Sequence, residues 1–109
     1  MFWLYWSFST NEDIKRIANH FGTRNQLEKL CEECSELIEA VHDYINGIDI
    51  GVDPIDSATD RLHVIEEAAD VIVLVEQLCY LLSARDEFWR MREHKIERTL
   101  RRMKDGYYA

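Results

Sequence analysis

The chain is almost free of residues that interrupt a helix. Its only proline is Pro54 and its glycines are Gly22, Gly47, Gly51 and Gly106; these are the strongest local breakers. Between them, apolar residues recur at helical spacing. From Asn25, the positions Leu27, Leu30, Cys31, Cys34, Leu37, Ile38, Val41 and Ile45 follow the i, i+3, i+4, i+7 rule, which predicts an amphipathic helix ending near Asn46 and Gly47.

Three further helices follow by the same reasoning. Thr10 and Asp13 resemble a capping box ahead of Ile14, Ile17, Ala18 and Phe21, with Gly22 as a stop signal, and predict a short helix over about 11–21. The segment NGIDIGVDPIDSAT has loop composition, and its aspartates lack calcium-loop spacing. Ser57 or Thr59 is placed to cap a third helix over about 60–83, where the VIVLV run continues without turn residues from EEAAD into EQLCYLL. Phe88, Met91, Lys95, Ile96, Thr99, Leu100 and Met103 predict a last amphipathic helix over about 86–104. Residues 1–109 thus read as one all-α domain, a four-helix bundle completed by self-association as a homodimer or homotetramer.

A net charge of -8 and a pI near 4.9 argue against a nucleic-acid polymer bound on a broad basic surface. The positive charge is concentrated, since eight of the 13 Lys and Arg residues lie between Arg85 and Lys104. Cys31, Cys34 and Cys79 are odd in number and fall at apolar positions, which points to a reducing cytoplasm rather than a disulfide framework. The opening MFWLYW lacks a basic flank and a cleavage site and is too short to span a membrane, so 1–9 reads as an apolar leader that straps onto the bundle or a partner, or as an upstream start.

The second helix sets Glu33 and Glu36 at the edge of its apolar stripe. The third is apolar around its whole circumference from Ala68 to Val75 except at Asp70, with Glu67 one turn earlier. A helix apolar on every side is buried, and a buried ionised carboxylate costs several kcal/mol unless compensated. Asp70 is therefore expected to be buried with a partner. If the two helices pack side by side, four carboxylates converge, and a hard divalent cation with oxygen ligands keeps them ionised together; Mg²⁺ fits best.

An EEcsEL block, an EEaaDV block and a basic Lys-x-x-Arg-x-x-x-Arg helix, in this order over about 10–104, resemble the MazG-like all-α nucleoside triphosphate pyrophosphohydrolases. The resemblance implies Mg²⁺ held by Glu33, Glu36, Glu67 and Asp70, with Glu33 and Glu36 also catalytic. It implies a nucleoside triphosphate substrate cleaved to a monophosphate and pyrophosphate. Lys95 and Arg98 would contact substrate phosphates, and Arg102 with them; Thr99 stands where the family usually has Asn. Glu32 and Glu66 match the family's second acids and are not read as ligands. Gln26 matches a residue often placed ahead of the acidic helix.

Other chemistries are weaker. Glu39-x-x-His42 and Asp60-x-x-His63 are similar to di-iron pairs, but Glu39 and His42 project from another flank than Glu33 and Glu36, and the four-helix ligand set is incomplete. Cys31-x-x-Cys34 has no second pair and reads as core packing, while His20 and His94 read as surface or boundary residues. A helical regulatory or assembly module that lost turnover is the main non-enzymatic alternative.

Overall fold

The computed structural model describes the backbone of residues 2–51 and 58–106, and side chains from Asn11 onward. Four helices account for nearly all of it: α1 (Phe2–Phe21), α2 (Thr23–Asp49), α3 (Ala58–Leu81) and α4 (Arg85–Lys104), with no strand among the described residues. No described helix is long and apolar enough to cross a membrane. Ser57 lies outside the described residues, and Thr59 is already inside α3.

The expected capping box at Thr10 does not start a helix. α1 begins at Phe2 and runs through Thr10 and Asp13, because no glycine or proline stands before Gly22 to interrupt it. Gly22 then joins α1 to α2 alone, at φ 84 and ψ 166, a region open to glycine and almost closed to other residues. Asn25 donates from Nδ2 to the carbonyl of Phe21 at 2.8 Å, satisfying one of the acceptors at the end of α1. Gly47, expected to close α2, is instead a buried residue within it.

α3 and α4 meet at Ser83, whose φ of 53 lies in the left-handed region. The amide of Ser83 donates to Tyr80 at 3.1 Å and that of Ala84 to Cys79 at 2.9 Å. This is the hydrogen-bond pattern of a Schellman cap, so α3 ends in an ordered joint even without glycine there.

α2 and α3 form the main packing contact, α1 lies against α3 and more lightly against α2, and α4 touches only α3. The α2–α3 seam is polar at its centre. Gln26 donates from Nε2 to Oε1 of Gln77 at 2.6 Å, and both side chains are buried. Such a pair contributes about 1 kcal/mol net, but either partner left alone costs about 1–3 kcal/mol, so it fixes the register of the two helices. Tyr80 ties α3 to α1 by donating to Oδ1 of Asn19 at 3.0 Å.

Candidate metal centre

Helix register brings three of the four expected carboxylates, Glu33, Glu67 and Asp70, into one group, with Glu36 at its side. Glu33 lies seven residues after Gln26 on the inward face of α2, so the seam that buries Gln26 buries Glu33 as well, leaving it 7% exposed. Glu67 projects from α3 toward it with its side chain 13% exposed. Oxygens of Glu33, Glu67 and Asp70 lie within 4.8 Å of one another. Glu36 lies beside them, close enough for Glu33 and Glu67 to raise its carboxyl above its ordinary value.

Asp70 is not buried as its apolar surroundings suggested. It is exposed in the chain, because α1 and α2 cover only one side of α3 and leave Ile72 and Val73, on its other side, open to solvent. Its oxygen still reaches the cluster from the rim.

The outer oxygens of the two inner glutamates are held alike. Lys29 lies one turn before Glu33 and pairs with its Oε1 at 3.2 Å. His63 lies one turn before Glu67 and approaches its Oε1 at 3.2 Å. The opposite oxygens, Oε2 of Glu33 and Oε2 of Glu67, are buried with no partner. A buried carboxylate oxygen without a donor is costly.

The charges register this crowding. Glu33, first through a shared hydrogen bond and then through its charge, pushes the Glu36 carboxyl above its ordinary value, with desolvation and Glu67 adding to the effect. The hydrogen bond to Glu33, followed by the charge of Glu32, raises Lys29 as well, holding its proton more tightly and so favouring its charged form. Burial, with the charge of Glu76, pushes the Cys79 thiol up, which keeps it an unreactive packing group.

No family model, curated protein or solved structure matches the chain. All donors are carboxylate oxygens, the set preferred by hard divalent cations. Two ligands on opposite sides of such an ion would stand about 4.0–4.2 Å apart for Mg²⁺ and about 4.6–5.2 Å for Ca²⁺, so small side-chain adjustments within this cluster suit one. The two unpartnered oxygens are where its charge is needed. Neither Glu39 with His42 nor Cys31 with Cys34 belongs to a metal-competent group among the described residues, and Cys31 is exposed rather than packed in the core.

The basic residues of α4 do not join the carboxylates within the chain. Lys95, Arg98 and Arg102 are exposed, and α4 makes no packing contact with α2. Thr99 turns its hydroxyl back to the carbonyl of Lys95 at 2.9 Å. Sequence reasoning passed over Lys29 and Gln77, and weighed His63 only as a partner of Asp60. For Lys29 and His63 the signal was present, since each stands four residues before a candidate ligand on the same helix face.

Proposed function

We propose that the chain is a Mg²⁺-dependent nucleoside triphosphate pyrophosphohydrolase of the MazG-like all-α type, whose bundle is completed by self-association in the cytoplasm. The observation that carries this reading is the pair of buried, unpartnered oxygens on Glu33 and Glu67, two members of a carboxylate cluster that also includes Asp70. Glu33, Glu67 and Asp70 would hold the cation, with Glu36 beside them. When bound, Mg²⁺ supplies Lewis acidity toward phosphoryl oxygens and a more acidic water.

The chain's own residues supply the rest. Glu36, beside Glu33 and Glu67 and with its proton affinity raised by them, orients the attacking water and takes up its proton. Lys29 and His63 hold the Oε1 atoms of Glu33 and Glu67, which limits the side-chain adjustment needed on binding. Water adds at the α-phosphorus, the bond to the bridging oxygen breaks, and pyrophosphate leaves with a nucleoside monophosphate behind. Lys95, Arg98 and Arg102 offset the charge of the phosphates.

The test is pyrophosphate release from a panel of ribo- and deoxyribonucleoside triphosphates. Turnover is expected with Mg²⁺, lost with EDTA, and reduced about 100-fold or more by Asp70→Asn with the helical circular dichroism intact. A folded, Mg²⁺-saturated protein inert toward the whole panel would instead be a binding or assembly module.

A further inference from the structure

The carboxylate group is closed along the α2–α3 seam at both ends. The two helices run antiparallel, because Gln26 meets Gln77 while Glu33 meets Glu67 and Asp70. Lys29, one turn before Glu33, therefore stands on the side of the group nearer the Gln26–Gln77 pair, and His63, one turn before Glu67, on the side away from it. Beyond them the buried inward positions are Leu74 and Ala40, whose side chains offer no ligand atom. Among the described residues the seam thus presents ligand oxygens at a single level.

The oxygens at that level fall into two sets. Oε1 of Glu33 is taken by the Lys29 ammonium at 3.2 Å, and Oε1 of Glu67 by Nε2 of His63 at 3.2 Å. Oε2 of each is buried without a partner, and Glu33 as a whole is 7% exposed. The unpartnered pair and an oxygen of Asp70 are enough for one divalent ion that keeps waters in its other positions.

A second ion finds no such set. Paired divalent ions stand about 3.5–4 Å apart, close enough to share a carboxylate that gives one oxygen to each. In Glu33 and Glu67 the second oxygen already faces a donor. Asp70 remains as a bridge, but it stands exposed at the rim, where water competes for the ion. Lys29 also reaches Glu32, its Nζ 3.5 Å from Oε1, and so spans the two acids that an ion on the outer side of Glu33 would need. Charge agrees with geometry: Glu33, Glu67 and Asp70 carry three negative charges, which one divalent ion and the Lys29 ammonium cancel between them.

We propose that Lys29 takes the place of a second metal ion. It occupies the outer oxygen of Glu33 and its charge completes the neutralisation, so that without nucleotide the site takes one divalent cation per chain. The inference rests on the proposed cation at these carboxylates and is independent of the reaction.

The count is read by titrating Mn²⁺, in place of Mg²⁺, into EDTA-stripped protein without nucleotide and following the free ion by electron paramagnetic resonance. Wild type and Lys29→Arg should bind one Mn²⁺ per chain. Lys29→Met and Lys29→Gln, with helical circular dichroism intact, should bind two, and the pair should broaden the spectrum of the bound ions. Two ions in wild type, or one in the folded uncharged variants, overturn the inference. Pyrophosphate release by the same wild-type protein separates the two claims. Two ions with turnover defeat the single-ion site and keep the hydrolase, one ion without turnover keeps the site and defeats the hydrolase, and no bound ion defeats both.

Discussion

At the residue scale, Glu36 connects the geometry to pH. Its carboxyl is raised above the ordinary value of 4.5 by Glu33 first and Glu67 last, so the folded chain holds that proton more tightly than the unfolded one. Stability from this group is therefore complete below the ordinary value and is lost as pH rises through the raised one. Urea midpoints in EDTA should fall less with increasing pH for Glu36→Gln than for wild type across this window. Saturating Mg²⁺ should remove the difference, because a cation favours the charged carboxylate. Equal slopes in EDTA would mean that Glu36 does not share its proton with Glu33.

At the scale of the helices, the joint between α1 and α2 is a single residue. No atom lies within 4 Å of a Cβ placed on Gly22, so space does not select glycine there; the backbone does, at φ 84 and ψ 166. Gly22→Ala should cost about 1–2 kcal/mol net, the strain being partly offset by a less flexible unfolded chain. A urea-midpoint loss with unchanged m-value would show it, and a neutral substitution would mean that the joint relaxes.

The sequence was legible at this scale where periodicity was strong and breakers were few. The VIVLV run is helical as its flanks implied, and α4 begins within one residue of its expected start. The start of α1 was not legible, because Thr10 and Asp13 have the spacing of a cap yet lie inside a helix that nothing upstream stops. The buried seam was harder still. Gln26, Glu33, Ala40 and Gly47 are polar or small, so hydropathy passes over the centre of the packed face; of the stripe it marks, Leu30, Cys34, Leu37 and Val41 are half-buried at the edge of that face while Leu27, Ile38 and Ile45 are exposed. Periodicity reports that a stripe needs covering, not which chain covers it. The carboxylates were legible for a different reason: the Glu-x-x-Glu and Glu-x-x-Asp spacings fix them on their helices, and packing of α2 on α3 does the rest.

For the whole molecule, packing within one copy leaves much undone. The radius of gyration is 17.2 Å, against about 13 Å for a compact domain of this length, and the described apolar residues that are buried are Ile14, Ala18, Ala40, Leu74 and Leu78. So small a core is weak support for helices of 20–27 residues, since most helical stability in proteins comes from a packed apolar face. If a second copy supplies that packing, folding and association are one equilibrium and the melting temperature depends on protein concentration. A tenfold increase contributes about 1.4 kcal/mol per dimer, or a rise of about 3–6 °C for a dimer of this size. Leu100→Asp should flatten that dependence and leave the response to Mg²⁺ in place, whereas Glu33→Gln should weaken the response to Mg²⁺ and leave the concentration dependence. A melting temperature indifferent to concentration over two decades would return the exposed stripes to a single chain, with α4 folding back over its own α2 and α3.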